Sequence, residues 1–184
     1  AVFLVAQASE GEAANILVQN AGADSEPVRL AALESLRRLA VADTITPLLD
    51  LAAQSKSDAG RDPVLKALYA VCQATPDKDQ TARRLVAAIG RFPTTQRRQV
   101  LPLLAELGTP DALAAAQSAT RDPDLELARE AVRVLAQWPN AAPAAHLLEL
   151  ARTSTDATLP TLALRGCIEV AGHEPDLSKR LALL

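Results

Sequence analysis

The stretch EPVRLAALESLRRLAVADTITPLLDLAAQ, residues 26–54, contains two amphipathic segments joined by a short turn. In the first segment, Ala32, Leu36 and Leu39 are spaced four and then three residues apart, which places them on one face of a helix. The second segment has a similar spacing of apolar residues. These are Ile45, Leu48, Leu49 and Ala52. Each segment therefore predicts a helix whose apolar face must pack against another element.

The turn between the two segments consists of Ala42, Asp43 and Thr44. Because so short a connection leaves neighbouring helices antiparallel, the stretch predicts a helical hairpin. We expect either Asp43 or Thr44 to accept a hydrogen bond from the first free amides of the second helix.

The hairpin pattern recurs along the chain. Its reference positions are Pro27, Pro63, Thr95, Pro123 and Thr158. The residues five, nine and twelve places after each reference form three columns. They are Ala32, Leu68, Val100, Ala128 and Ala163; Leu36, Cys72, Leu104, Val132 and Cys167; and Leu39, Thr75, Leu107, Leu135 and Val170. All are small or branched apolar residues except Thr75, which precedes a proline, so that its helix is expected to end early. A hairpin repeated every 28 to 36 residues is typical of an α-solenoid.

The segments EPVRLAALESL (26–36), RDPVLKALYAV (61–71) and RDPDLELAREAVRVLAQWP (121–139) resemble the first helices of bacterial HEAT repeats. The segments TITPLLDLAAQ (44–54) and APAAHLLELAR (142–152) resemble the second helices of such repeats. The resemblance covers essentially the whole chain. It implies an all-α fold, a right-handed α-α superhelix of about five to six helical hairpins. HEAT repeats have no catalytic residues in common, so the resemblance implies no chemistry.

The run DATLPTLALRGCIEVAG (156–172), which follows a repeat containing WPN, is similar to HEAT arrays in large exported bacterial proteins that also carry sugar-active domains. This likeness favours an exported or periplasmic location over a cytoplasmic one.

The expected organisation is a single HEAT-like repeat domain over residues 1–184. Its approximate repeats are 1–23, 24–57, 58–91, 92–120, 121–154 and 155–184. We expect both ends to be cuts through a longer array, because AVFLVAQ (1–7) and DLSKRLALL (176–184) have apolar residues that would pack on a further repeat. The leucines of the second segment predict end-to-end self-association.

Local signals predict several helix features. Ile16 and Leu17 are expected to face inward on a helix over residues 10–21. Asp62 is expected to cap the helix that begins at the following proline, after a polar and mobile loop over residues 55–62. Pro102 lies inside a first helix and is expected to kink it, because proline removes an amide donor.

Composition excludes several classes of protein. With 49% hydrophobic residues the chain is not disordered, and only 2% aromatic residues favours tightly packed helices over strands. The net charge of −3 argues against a surface that binds nucleic acid by neutralising phosphates. No apolar run approaches the roughly 18 residues of a membrane span.

The residues that most often carry chemistry show no motif. Cys72 and Cys167 occupy the same column about three repeats apart, beyond disulfide reach, and are expected to be buried thiols. His146 and His173 have no cysteine or carboxylate cluster at zinc-site spacing. His146 lies three residues before Glu149, which predicts a solvated polar pair rather than a metal or acid–base site. We expect no catalytic residue, no metal and no cofactor, and no enzymatic activity.

The sequence favours a non-catalytic protein-interaction scaffold, a module of a larger protein that binds a protein, a peptide or flanking domains of the same chain. Two alternatives stay open: a spacer between domains, and a HEAT-like enzyme or ligand-handling domain related to DNA glycosylases or bilin lyases. A glycosylase would place aromatic and acidic residues in a basic groove. Trp138 is the only tryptophan and is expected instead to cover the hydrophobic seam at the end of its helix.

Aligned second helices give two outward columns one helical turn apart. The polar members are Asn15, Arg84 and His146 in the first column, and Asp50, Gln117 and Glu149 in the second. Second helices line the concave face of such solenoids, which is their usual binding surface. We therefore expect a shallow groove for an extended peptide or a flanking domain, the alternative being ordinary solvated positions.

Overall fold

The computed structural model describes residues 10–183, which form α-helices joined by turns, with no β-strand among them. The chain divides into two compact units between Arg91 and Phe92. This division coincides with the predicted boundary between the third and fourth repeats.

The first unit contains α1 to α5. Their bounds are α1 Glu10–Ala21, α2 Glu26–Leu39, α3 Ile45–Gln54, α4 Asp58–Ala74 and α5 Lys78–Ile89, with a 3₁₀ turn over Ala42–Thr44. In the repeat, α2 and α4 are first helices, and α1, α3 and α5 are second helices. Helix α2 packs against α1 and α4, and α3 packs against α4 and α5.

The second unit contains α6 to α12. Their bounds are α6 Thr94–Val100, α7 Pro102–Leu107, α8 Pro110–Ala119, α9 Leu125–Ala136, α10 Ala144–Thr153, α11 Leu159–Ala171 and α12 Leu177–Ala182. The first helices are α6–α7, α9 and α11. Helix α9 packs against α6, α7, α8 and α11, while α10 packs most extensively against α11. In both units helices pack against neighbours in sequence order, which confirms the predicted all-α, solenoid-like fold.

The three predicted columns lie in the core of the two units. Fourteen of their fifteen residues are buried, including the thiols of Cys72 and Cys167. Leu39 is the exception, with 40% of its surface exposed, so its predicted inward position is wrong. The reason is local: Leu39 is the last residue of α2, and Ala40 follows it in the left-handed conformation, at φ 47°.

Thr75 shows how the core accepts a polar side chain. Helix α4 ends at Ala74, as the proline at position 76 predicted, and Thr75 follows it almost fully buried. Its Oγ1 lies 3.0 Å from Oγ1 of Thr81 and donates to the carbonyl oxygen of Asp77 at 3.3 Å. These hydrogen bonds offset the unfavourable free energy of burying the Thr75 hydroxyl away from water.

Helix α1 has the predicted bounds but a different inward face. Ile16 is 40% exposed and Leu17 is half-buried, so the prediction that both face inward is wrong. The buried residues are instead Ala13, Ala14 and Ala21. Because alanine is small, this face lets α1 approach α2 closely.

Helix α4 begins at Asp58, five residues before the predicted start. Ser57, not Asp62, is the N-cap, and its hydroxyl accepts a hydrogen bond from the Gly60 amide at 3.2 Å. Most of the predicted mobile loop over residues 55–62 is therefore helical. The proline at position 63 lies inside the helix and removes one amide donor there. Buried Arg61 supports the added turn by donating to the carbonyl oxygen of Ser55 at 2.6 Å.

Neither predicted residue caps α3. Thr44 occupies the N-cap position, but it is in the right-handed helical conformation and its side chain accepts no amide. Its hydroxyl donates instead to the carbonyl oxygen of Val41 at 2.6 Å. The 3₁₀ turn continues directly into α3, so the extended conformation that capping requires never occurs.

Pro102 interrupts its helix at the place where a kink was predicted, since α6 ends at Val100 and α7 begins at Pro102. Gly108 ends α7 in the left-handed conformation, at φ 64°, which glycine adopts without a steric penalty. A side chain there would also meet the ring of Pro139, 2.9 Å from the position of a Cβ. Trp138 is 1% exposed, which agrees with its predicted place in the hydrophobic seam.

Ion pairs join successive first helices of the second unit. Arg97 of α6 lies 3.5 Å from Asp122, which precedes α9, and Arg129 of α9 lies 3.2 Å from Asp156, which precedes α11. Asp156 also accepts hydrogen bonds from the hydroxyl and amide of Thr158, and these bonds hold the pKa of its carboxyl well below the usual range. Each aspartate thus connects the start of one first helix to the preceding one. The predicted helical segment AVFLVAQ lies outside the described residues.

Candidate functional site

The six predicted contact residues all lie on second helices. Asn15 is on α1, Asp50 on α3, Arg84 on α5, Gln117 on α8, and His146 and Glu149 on α10. Asn15, Asp50 and Glu149 are exposed, and the other three are half-buried. Their placement on the surface agrees with the outward columns, while a role in binding stays a prediction.

The first unit carries Asn15, Asp50 and Arg84, and of these Arg84 has an ionic partner among the described residues. Arg84 lies 3.6 Å from the carboxylate of Asp43, in the 3₁₀ turn before α3. The side chains of Asn15 and Asp50 have no hydrogen-bond or ion-pair partner among residues 10–183. The structure therefore brings Arg84 next to the start of α3, and joins none of the three directly to another.

In the second unit, Thr120 connects the two helices that carry the predicted residues. Its hydroxyl donates to the carbonyl oxygen of Gln117 at 2.7 Å and lies 3.0 Å from Nε2 of His146. Since the hydroxyl proton is used on Gln117, Nε2 of His146 must carry the proton that Thr120 accepts. The sequence pointed to Glu149 as the neighbour of His146, and Thr120 was missed. The sequence offered one indication of its role: Thr120 lies one helical turn after Gln117.

The pKa of His146 is lowered from its ordinary value. Partial burial of the imidazole is the main cause, and the positive charge of Arg121 acts in the same direction. Glu149 opposes both by stabilising the protonated ring. His146 is therefore a neutral hydrogen-bond donor at neutral pH, with Nδ1 available as an acceptor.

We expect His146 to make stability depend on pH. Because its folded pKa lies below the unfolded value of about 6.5, its contribution is fully present above that pH and is lost as the pH falls through the folded pKa. Melting temperatures measured from about pH 7.5 down to 5 should therefore fall more steeply for the wild type than for His146→Gln. His173→Gln, which alters an exposed histidine, is the matched control. Equal slopes for the wild type and His146→Gln would contradict this prediction.

Open grooves also lie between the first helices, and the sequence did not predict them. A groove of about 450 Å³ between α9 and α11 is lined by Arg129, Arg133, Thr161 and other residues. It adjoins one of about 190 Å³, because Arg133 and Leu162 line both. A third, of about 210 Å³, separates α2 from α4. Such grooves depend on the distance between stacked helices, which no local pattern reveals.

Charged groups on the first helices are largely paired with each other. Arg37 lies 2.8 Å from Glu34, and this pairing lowers the pKa of Glu34 to about 2. Arg129 lies 2.7 Å from Glu126, and Arg133 lies 2.9 Å from Glu130. Of the carboxylates that line these grooves, Glu34 and Glu126 are thus already engaged, whereas Glu169 has no side-chain partner among the described residues.

The described residues contain no group of three or more histidine, cysteine or carboxylate side chains that could hold a metal ion. Among residues 10–183, none of the helices combines the length and apolar character that a membrane crossing requires. No protein-family model matches the chain, and no curated protein is significantly similar to it.

Proposed function

We propose that this protein is a non-catalytic interaction scaffold whose second helices bind an extended segment of another protein or of a flanking domain. The observation that carries the proposal is a difference between the two helix sets. Among the described residues, the side chains of Asn15, Asp50 and Glu149 on the second helices have no partner, whereas most charged side chains on the first helices α2, α4 and α9 pair with one another.

The second-helix side chains have unused hydrogen-bonding capacity. Within residues 10–183 no hydrogen bond or ion pair involves the carboxylate of Asp50, the carboxylate of Glu149 or the amide of Asn15. A partner reaching these groups gains hydrogen bonds without breaking internal ones. An arginine such as Arg133 must first leave Glu130, which reduces the net gain.

Within each unit, the second-helix surface suits a peptide better than a small molecule. Small-molecule sites are concave and enclose most of the ligand, whereas these residues project from separate helices. Main-chain and side-chain groups of an extended segment are spaced widely enough to reach from one second helix to the next within a unit. Asp50 and Glu149 favour a segment that contains basic residues.

A peptide library displayed on phage and panned against the 184-residue protein tests the proposal. A labelled copy of the enriched sequence is then titrated against variants. We expect at least one of Asp50→Lys and Glu149→Lys to weaken binding by about tenfold or more, because each reverses a charge at the contact. Asp62→Lys, which alters an exposed carboxylate on first helix α4, is the control and should bind normally.

Two results would contradict the proposal. Failure to enrich any peptide would support a spacer with no binding surface of its own. Binding that survives both second-helix substitutions but is lost with Arg133→Ala would move the surface to the groove between α9 and α11.

A further inference from the structure

Helix α11 differs from its neighbour α9 in leaving its charged side chains unpaired. It carries Arg165 and Glu169, which are both exposed, and neither takes part in a hydrogen bond or an ion pair among the described residues. By contrast, all four charged side chains of α9 form ion pairs. An arginine one turn before a glutamate is the less favourable order for a pair within a helix. Both charges on α11 are therefore accessible to a binding partner.

Arg165 and Glu169 border the groove of about 190 Å³ between α9 and α11. They share one face of α11 with Leu162 and Gly166, because the four residues follow the i, i+3, i+4, i+7 spacing. Gly166 lets the two helices approach, since a Cβ there would lie 2.8 Å from Cβ of Ala136. The groove thus has an apolar floor of Leu162, Gly166 and Ala136, with one unpaired charge of each sign on the α11 side.

The adjoining groove of about 450 Å³ continues this one toward the start of α11. Thr161 lines it, and its exposed hydroxyl has no hydrogen-bond partner within residues 10–183. From Thr161 to Glu169, α11 rises about 12 Å, which is the length of about four residues of extended chain. An extended segment has free main-chain amides and carbonyls, and a hydroxyl can bond to either kind of group. A bound helix would satisfy those groups internally and make no use of Thr161.

We propose that the groove between α9 and α11 binds a short extended segment of another protein in which an acidic and a basic residue flank an apolar one. The acidic side chain pairs with Arg165 and the basic side chain pairs with Glu169. These two positions of α11 are about 6 Å apart along the helix axis, and alternate residues of an extended chain are about 6.6 Å apart. The proposal goes beyond the second-helix surface and does not depend on it.

The apolar residue between the two charges has its own place in the groove. Side chains alternate along an extended chain, so this residue points away from α11 and toward α9. There Val132 and Ala136 border the groove. Because burying apolar surface favours binding, leucine or valine suits this position better than glycine. A ligand with a single sign of charge fits less well, since whichever of Arg165 and Glu169 repels it lies one turn from the one that attracts it.

A blocked pentapeptide of serine, aspartate, leucine, lysine and serine, in that order, is the probe. Five residues are too few to form a stable helix, so its binding reports an extended segment. Titrated into the isotope-labelled 184-residue protein and followed by NMR, it should shift the amide signals of Gly166 and Gln137, which border the groove. Replacing the aspartate by lysine, the lysine by aspartate or the leucine by glycine should each weaken binding by about fivefold or more.

Charge reversal on the protein tests the two ion pairs. Arg165→Glu and Glu169→Arg should each raise the dissociation constant by about tenfold, because each leaves one charge of the peptide facing a like charge. The double variant has the two charges in exchanged order, so the peptide can lie in the opposite direction and binding should recover. Arg152→Glu, at an exposed arginine of α10 outside the groove, is the control and should leave binding unchanged. Circular dichroism checks that every variant keeps its fold.

Three results would overturn the proposal: no shift of the groove signals at millimolar peptide, equal binding by both single variants and the wild type, or a double variant as weak as the single ones. Shifts on α8 and α10 that disappear with Glu149→Lys would place the peptide on the second helices. That result would overturn this inference while supporting the proposed function. A peptide that does not bind at all leaves the proposed function intact, because panned peptides and the Asp50 and Glu149 variants test that function separately.

Discussion

Leu104→Ala is expected to lower the free energy of unfolding by about 2–5 kcal/mol, because truncating a fully buried leucine loses apolar contacts and leaves a cavity. Leu104 is in α7 and is 0% exposed. It belongs to the middle column, whose members in the described chain are all buried. Denaturant unfolding followed by circular dichroism measures the change.

Leu125→Ala provides the matched control for this measurement. It makes the same truncation in the same unit, but Leu125 of α9 is 48% exposed. We expect it to cost less than about 1 kcal/mol, as substitutions at the surface usually do. If both variants unfolded at the same denaturant concentration, the assignment of α7 positions to the core would be wrong.

The core was predictable because its pattern is local and repeated. Each column position recurs at a constant place after its reference residue, so five copies of the pattern support one another. The exposure of Leu39 was not predicted, because it depends on the left-handed conformation of Ala40. An alanine gives no sign in the sequence that it adopts this conformation. Periodicity indicates which side of a helix is apolar, but not whether neighbouring helices cover its last turn.

The surface was predictable only in part. Outward positions of the second helices follow from the same periodicity, and the structure places all six candidate residues at least partly in solvent. The contact between Thr120 and His146 does not follow from this periodicity, because the contact depends on which turns of α8 and α10 face each other. The grooves between first helices likewise depend on the spacing of helices that are far apart in sequence.

The start of α4 illustrates a choice that local rules leave open. Ser57 and Asp62 are both suitable N-cap residues, and a proline directly after Asp62 favoured the later start. The structure uses Ser57 and accepts a proline inside the helix. The earlier start places Arg61 on the first turns of α4, where it reaches the end of α3. The hydrogen bonds from Arg61 to the end of α3 thus favour Ser57 over Asp62 as the N-cap, although both residue types suit that position.

Arg61→Met is therefore expected to destabilise the first unit by about 2–4 kcal/mol, because hydrogen bonds to a charged group are strong and the partly buried carbonyl oxygen of Ser55 loses this donor. Arg61 is 4% exposed and donates to the carbonyl oxygens of Ala52 at 3.3 Å and Ser55 at 2.6 Å. The Ser55 carbonyl lies just past the end of α3, whereas the Ala52 carbonyl also accepts the Ser55 amide at 3.3 Å. Arg61 further pairs with the carboxylate of Asp58 at 2.7 Å. Methionine keeps most of the apolar stem, so the change isolates the loss of the guanidinium.

Lys66→Met is the control for this substitution. It removes a positive charge from the same helix, but Lys66 is largely exposed and pairs with the exposed carboxylate of Asp62. We expect a change of less than about 0.5 kcal/mol, since such surface pairs contribute little. Denaturant unfolding of both variants, followed by circular dichroism, gives the comparison. Equal stability of the two would show that α3 ends without help from Arg61, and that the Ser57 cap alone places the start of α4.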